Sequence, residues 1–427
     1  MKLFSAQKQR LFSPLILFSL VVFLVSLHDG IISYISPVLV NNKFHDTFLV
    51  GLILSISPVF GVLFDFAVSK FFPKKSYKFF LFWMLIFAFI VALLLISLKS
   101  TLATFIVVMI TWSVYYQFRN YSKYDFVNRF VHIRDNTEAW STLTTFQSTA
   151  YLIGPILTIY LLNSGKNVPL YASLFVLSTA LLIYFSSVQN LGKRHKQHND
   201  NPDAREFLKG LKVIHILAKR IWPLVLFSFA LTLLDVSFWT TGVLYSERLK
   251  VTSGVIGGLI ITIYCLPSLF TGLITTKIFD RLGKKKTSFV SGILAGLGLV
   301  VIGFSKNIFL TLGAVLFTAT CADISFVLIF ATFQDYVTRL DEGGTDLVGI
   351  NQINQNLAYF LGPIILGLVS RNGHLQNSFL LTGGILILSS IAAFMVVPRK
   401  IKMPQKILRM ILGKKMEEDA IPQNVYK

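Results

Sequence analysis

Long runs of apolar residues, separated by short polar segments, follow one another along the whole chain. Each run is long enough to cross about 30 Å of hydrocarbon as a helix that rises about 1.5 Å per residue. The pattern predicts twelve transmembrane helices, numbered here as spans one to twelve: 14–39, 48–69, 79–98, 102–118, 140–162, 169–189, 221–245, 252–276, 287–305, 308–333, 348–369 and 377–397. The predicted fold class is therefore an all-α membrane protein.

The composition excludes an ordinary soluble domain. Of the 427 residues, 54% are hydrophobic and only 14% are charged, whereas about a quarter of the residues of a soluble domain carry a charge. The two cysteines, Cys265 and Cys321, lie within apolar runs. We expect them to be small buried side chains, with no disulfide framework, no metal site and no cofactor.

The net charge of +20 is distributed unevenly between the two sides of the predicted membrane. The two tails and the even-numbered loops hold 33 of the 40 lysine and arginine residues. Such a bias predicts a cell-membrane protein with both termini in the cytoplasm. The basic charge thus indicates topology, and we expect no nucleic-acid partner. The apolar stretch 11–40 is too long for a cleaved signal peptide, so we expect it to be retained.

A polar stretch at 190–220 divides the spans six and six. The predicted organisation is an N-terminal bundle at 1–189, a cytoplasmic linker at 190–220 that contains an amphipathic segment, a C-terminal bundle at 221–397 and a basic tail at 398–427.

The two halves repeat one another. Residues 147–156 (QSTAYLIGPI) match residues 355–364 (QNLAYFLGPI), and residues 118–121 (FRNY) match residues 333–336 (FQDY). Asp29 in span one falls opposite Asp235 in span seven, at nearly the same offset. Several ordered matches indicate a duplication. Since each copy holds six spans, both have the same orientation and form two pseudo-symmetric six-helix bundles.

With these repeats, the chain resembles the major facilitator superfamily over nearly its whole length. The marker of that family, an acidic and basic loop between helices two and three, is repeated here between spans eight and nine as Asp280, Arg281, Gly283 and Lys284. The first copy keeps Gly61 and Asp65 but lacks the arginine and the second glycine. The resemblance implies that Asp65 and Asp280 latch the cytoplasmic side, each at a helix N-terminus of the opposite half.

A second marker is typical of drug:proton antiporters within that family. It is a glycine–proline pair, found here as Gly154-Pro155 in span five and Gly362-Pro363 in span eleven. Proline bends a helix and glycine permits close packing, so these pairs suit helices that rock during transport. A third marker, an arginine midway along span four, is absent, because Arg119 lies near the predicted cytoplasmic end of that span.

Three acids, Asp29, Asp235 and Asp323, lie near mid-depth in their spans. A carboxylate there costs at least ~2.5–3.5 kcal/mol, so it should face a cavity or bind a proton. A carboxyl group binds a proton more readily when dry and releases it when water enters. We expect the three acids, with His28 beside Asp29, to couple transport to protons.

Amide and aromatic side chains in the spans are the candidate lining of a substrate cavity. We expect no basic side chain among them, a set that suits a cationic or neutral amphiphile. The candidates are Gln147, Tyr151, Gln355, Tyr359, Trp112, Tyr115 and Trp239.

Three functions fit these features. The first is proton-coupled efflux of cationic or neutral amphiphiles, and the second is proton-coupled uptake of a neutral nutrient such as a sugar or a nucleoside. A cavity rich in hydrogen-bonding groups would favour the nutrient. The third is a sensor or lipid-handling protein that does not transport. An enzyme is not expected, since no catalytic motif is visible. The expected partners are a small-molecule substrate, protons and membrane lipids, and the expected state is a monomer.

Overall fold

The structure, a computed structural model, describes residues 2–72, 75–131, 136–191, 207–271, 283–339 and 344–397. Within these ranges the regular structure is entirely helical. The α-helices are α1 Lys2–Phe44, α2 Thr47–Leu54, α3 Ile56–Phe71, α4 Tyr77–Ser97, α5 Leu102–Phe130, α6 Asn136–Leu162, α7 Val168–Ile183, α8 Phe207–Ser237, α9 Val243–Ser253, α10 Val255–Gly258, α11 Ile260–Cys265, α12 Lys284–Phe304, α13 Ile308–Arg339, α14 Gly344–Val369 and α15 Gln376–Val396. The predicted all-α class is confirmed.

In the part of the chain that the structure describes, nine helical stretches are long and apolar enough to cross a membrane. Helices α5 and α14 are also long, with 29 and 26 residues, but they carry many of the polar residues of the central cavity. The chain is therefore a multi-pass membrane protein. The count of twelve spans stays a prediction.

Two short π-helical segments interrupt the α-helices. One, Tyr184–Val188, ends α7, and the other, Phe238–Gly242, joins α8 to α9. Segments of this kind are frequent at functional sites, and the second begins three residues after Asp235. The amphipathic segment predicted in the linker opens α8, which begins at Phe207 and continues without a break to Ser237.

Equivalent helices of the two halves pack in equivalent ways. In the first half α1 packs against α6 and α7, and α4 packs against α5 and α7. In the second half α8 packs against α14 and α15, and α12 packs against α13 and α15. Span one thus contacts spans five and six just as span seven contacts spans eleven and twelve. The sequence repeat is also a repeat of packing.

The two halves are joined at one end of the molecule. Several hydrogen bonds between the described residues of 2–191 and those of 207–397 lie there. They run from Tyr34 to Ser246 and Glu247, from Thr47 to the Gly367 carbonyl, from Lys250 to the Ile159 carbonyl, and from Arg371 to Asp46. By the predicted topology this is the outer end.

Helices α2 and α14 cross at this end with backbone almost against backbone. The Thr47 hydroxyl donates to the Gly367 carbonyl at 2.8 Å. A Cβ atom added at Gly51 would lie 1.9 Å from the Pro363 carbonyl oxygen. Because that neighbour is backbone, it has no flexible end that could move aside. The glycine is therefore what permits this contact between the halves.

We expect Gly51→Ala to lower the thermal unfolding midpoint of the purified protein in detergent. The added methyl group overpacks the α2–α14 contact, and overpacking costs about 1–3 kcal/mol. Gly384→Ala is the matched control, since no heavy atom lies within 4 Å of the corresponding Cβ position. Equal midpoints for the two variants would contradict the contact between α2 and α14.

Candidate functional site

A central cavity of about 550 Å³ lies between the two halves. Residues of α1, α2, α3, α5 and α6 line it on one side, and residues of α8, the π segment Phe238–Gly242, α11, α13 and α14 line it on the other. Its size is that of a pocket for a small molecule. The acids and most of the aromatic residues singled out in the sequence lie in or beside it.

Asp29 is the centre of a hydrogen-bond network in the first half. Its carboxylate is fully buried. It accepts hydrogen bonds from Trp112 Nε1 at 3.0 Å and from the Tyr116 hydroxyl at 3.0 Å. The Tyr151 hydroxyl also donates to it, and Arg119 Nη1 pairs with it at 2.7 Å. These four donors satisfy a charged carboxylate in a place that water does not reach.

The expectation that the cavity holds no basic side chain is wrong. Arg119 lines the cavity and forms the ion pair with Asp29. The predicted span four ends at 118, but α5 continues to Phe130, so Arg119 lies inside the helix and its side chain reaches the cavity. Trp112, Tyr116 and Arg119 are spaced by four and three residues, so they lie on one face of α5. From the sequence alone, that spacing indicates that the three side chains share one face of the helix, and the structure shows that this face meets Asp29.

Asp235 is the corresponding centre of the second half. It accepts hydrogen bonds from the Tyr264 hydroxyl at 2.6 Å, from the Tyr359 hydroxyl and from Trp239. Asp323 faces the same cavity and is hydrogen-bonded to Thr271.

In the part of the second half that the structure describes, these acids have no cation as partner. Asp323 Oδ2 is buried without a hydrogen-bond partner. Within the described ranges, no lysine or arginine lies at ion-pair distance from Asp235 or Asp323. Tyr264 was missed in the sequence, where it appears as one aromatic residue in an apolar run.

The two networks share one pseudo-symmetric contact. Tyr151 donates to Asp29, and Tyr359, its counterpart in the repeat, donates to Asp235. Close helix crossings one turn farther along make both contacts possible. A Cβ atom at Gly154 would lie 3.1 Å from the backbone of α1, and one at Gly362 would lie 2.9 Å from side chains of α8. The glycines of the two glycine–proline pairs thus bring each tyrosine within reach of its aspartate.

An aromatic contact bridges the two halves inside the cavity. The rings of Tyr151 and Trp239 meet edge to face, with centroids 5.8 Å apart. Both residues also hydrogen-bond to the buried acid of their own half. The two networks are therefore connected through side chains that line the cavity.

Polar side chains line much of the remaining wall. They carry amide or hydroxyl groups and come from both halves: Ser57, Ser113, Gln117, Asn120, Gln147, Ser148, Thr240, Ser268, Gln352, Gln355 and Asn356. Lys123 Nζ donates to Gln147 Oε1 at 3.3 Å. Among the described residues, no group of three or more His, Cys, Asp or Glu side chains forms a metal site.

Two of the candidate residues lie behind the wall of the cavity. His28 is fully buried, and its Nδ1 hydrogen-bonds to Ser173 Oγ at 2.6 Å between α1 and α7. Tyr115 is also fully buried, and its neighbour Tyr116 lines the cavity instead. Consecutive residues of a helix point about 100° apart, so a shift of one position moves a side chain from the cavity into the core.

The structure describes part of the two loop motifs. Gly61 lines the cavity, and Asp65 hydrogen-bonds to Tyr121 of its own half. Gly283 precedes α12, and Lys284 pairs with Asp335 at 3.0 Å. Asp280 and Arg281 lie outside the described residues. The latch between the halves therefore stays a prediction.

Several solved structures of transporters have the same fold as this chain. One is the nucleoside transporter NupG, with a TM-score of 0.71 and 15% identity, covering 90% of this chain and 100% of that chain. Another is a bacterial homolog of the human lysosomal transporter Spinster in an inward-facing conformation, with a TM-score of 0.71 and 10% identity, covering 96% and 99%. The xylose transporter XylE from E. coli, in a partially occluded inward-open conformation, has a TM-score of 0.66 and 15% identity, covering 90% and 98%.

Sequence comparison points to the same class of protein. No curated protein sequence matches the chain. The sequence model of the Major Facilitator Superfamily matches residues 126–345 and 253–410, which together make up more than half of the chain. The family and the fold are those of transporters, not of enzymes. The chain belongs to the Major Facilitator Superfamily.

Proposed function

We propose that the protein is a proton-coupled secondary transporter of a small, polar, uncharged solute, such as a nucleoside or a sugar. The observation that carries this proposal is the lining of the central cavity. Amide and hydroxyl groups from both halves surround its space. Such groups pair with the hydroxyl and amide groups of a polar solute, which otherwise loses its hydrogen bonds with water.

Aromatic side chains complete the lining. Trp112 and Tyr116 stack on one another with their ring centroids 5.8 Å apart, and Trp239 faces Tyr151 across the cavity. Flat rings of this kind pack against the faces of sugar rings or nucleobases. The sequence alone favoured amphiphile efflux, but the polar wall supports the nutrient alternative.

Closure at one end supports a mechanism of alternating access. The halves touch through Tyr34 and Glu247, and through Asp46 and Arg371. By the predicted topology this end faces outward, so the cavity opens toward the cytoplasm. Rocking one half against the other would break these contacts and open the cavity outward. The glycine–proline pairs lie where such helices need to bend and slide.

Two neighbours by fold agree with this substrate class. NupG is described as a nucleoside transporter and XylE as a xylose transporter. Their identity to this chain is low, so they support the proposal without deciding the substrate. We propose symport, in which solute and proton move together, so that an inward proton gradient drives uptake.

Efflux of lipophilic cations is the second candidate. Two observations favour it: Asp235 and Asp323 have no basic partner among the described residues, and the Gly154-Pro155 pair is typical of antiporters. A cation would pair with the two carboxylates. The two candidates differ in the solute that moves and in its direction relative to the proton.

The first test is transport by the purified protein in proteoliposomes with an imposed pH gradient. We expect labelled nucleosides or sugars to accumulate in the acid-outside arrangement and not in the presence of a protonophore. Labelled tetraphenylphosphonium is the comparison solute. Its pH-driven extrusion, without nucleoside or sugar uptake, would favour efflux. Movement of none of these solutes would favour the sensor.

A cavity variant tests the role of the amide wall. We expect Gln355→Leu to raise the KM for the transported solute about 5- to 30-fold, because losing one buried hydrogen bond costs about 1–2 kcal/mol. Gln189→Leu is the control, since Gln189 is exposed at the end of the segment Tyr184–Val188. An unchanged KM in Gln355→Leu would remove this amide from the substrate site.

A further inference from the structure

The duplicated aspartate–tyrosine contact has different charged neighbours in its two copies. The repeat aligns residues 118–121 with residues 333–336, so Arg119 of the first half corresponds to Gln334 of the second. Arg119 is 8% exposed and pairs with Asp29, whereas Gln334 is exposed on α13. One copy therefore has a built-in cation, and the other has an amide at the matching position.

In the first copy, the ion pair is buried and surrounded by donors. The ionisable groups around Asp29 are His28 on its own helix, Tyr115, Tyr116, Arg119 and Lys123 on α5, and Tyr151 on α6. A proton on Asp29 would leave the Arg119 guanidinium as an uncompensated charge in a dry site. Leaving one partner of a buried pair alone is strongly unfavourable. The ion pair therefore disfavours a proton on Asp29 as long as Arg119 lies beside it.

In the second copy, two carboxyl groups share one cavity wall. The groups around Asp235 are Trp239, Tyr264 and Cys265, Tyr359 on α14, and Asp323 on α13. All of the hydrogen-bond donors among them are neutral. Asp323 adds Oδ2, which is buried without a partner. Two carboxylates that face one cavity with neutral donors only relieve their repulsion when one of them binds a proton.

We propose that Asp235 and Asp323 alone carry the transported proton, and that Arg119 keeps Asp29 permanently charged and outside the proton cycle. The inference deepens the proposed function and rests on it for the transport readouts. Arg119 acts through Asp29, as a positioning residue that keeps the neighbouring carboxylate ionised. The duplication thus supplied two copies of one acid site, and a single basic residue separates their roles.

The first experiment needs no substrate. Infrared spectra of the purified protein, recorded through a pH titration, report the band of a protonated carboxyl group. We expect Asp235→Asn and Asp323→Asn each to reduce this band, and Asp29→Asn to leave it unchanged. A band that disappears in Asp29→Asn and persists in the other two variants would overturn the proposal. This result is independent of whether the solute has been identified correctly.

The second experiment compares pH-driven accumulation with counterflow in proteoliposomes, because counterflow of solute does not need net proton movement. For the neutral double variant Asp29→Asn/Arg119→Gln, we expect the ratio of accumulation to counterflow to stay within about twofold of wild type, even where the affinity falls. For Asp235→Asn we expect that ratio to fall at least about tenfold. An equal fall of the accumulation-to-counterflow ratio in the double variant and in Asp235→Asn would show that Asp29 takes part in proton transport.

A single substitution tests directly whether Arg119 prevents Asp29 from binding a proton. Arg119→Gln leaves Asp29 with neutral donors only, like Asp235, so we expect it to create a second proton site. The pH profile of accumulation should then gain an additional titration step, which Arg119→Lys should not show because lysine keeps the charge. A purely structural role would lower the activity of Arg119→Gln at every pH without changing the shape of the profile, and that result would contradict the proposal.

Discussion

The buried pair of Asp29 and Arg119 is the interaction on which the first half of the cavity depends. A carboxylate fully removed from water needs donors on every side, and α1, α5 and α6 supply them through Arg119, Trp112, Tyr116 and Tyr151. Meeting that requirement fixes how the three helices cross. Gly154 suits this crossing, since a Cβ atom there would lie 3.1 Å from the backbone of α1, closer than ordinary contact. One electrostatic constraint thus sets the packing of the wall against which a substrate would lie.

Among the described residues, the second half meets the same requirement with neutral donors. Tyr264, Tyr359 and Trp239 donate to Asp235, and Asp323 faces the same space. Protonation of a carboxylate costs less beside neutral hydroxyl and indole donors than in an ion pair. Beside neutral donors, no unpaired positive charge remains once the carboxylate has bound the proton. The two bundles differ in charge around these acids while keeping the same helix packing. In the proposed mechanism this difference confines proton binding to the second half of the cavity.

Much of the fold and part of the site could be read from the order of residues. The apolar runs predicted an all-helical membrane protein, and the matched segments at 147–156 and 355–364 predicted the repeat of packing. Asp29, Asp235 and Asp323 stood out because charged residues are costly inside apolar runs. The same reasoning missed Arg119 and Tyr264 and misplaced His28 and Tyr115. It judged each residue by its depth along one helix, and depth along a helix does not specify which face of that helix turns toward the cavity.

The sequence by itself determined the class of the protein, the duplication and the positions of acids in apolar surroundings, because these follow from composition and spacing along a single chain. Only the tertiary structure decided which partner each acid obtained. Asp29 and Asp235 occupy equivalent places in the repeat, yet one meets a guanidinium and the other meets hydroxyl groups. That outcome depends on the rotation and crossing of helices far apart in the chain, and on how far a long side chain reaches from its own helix.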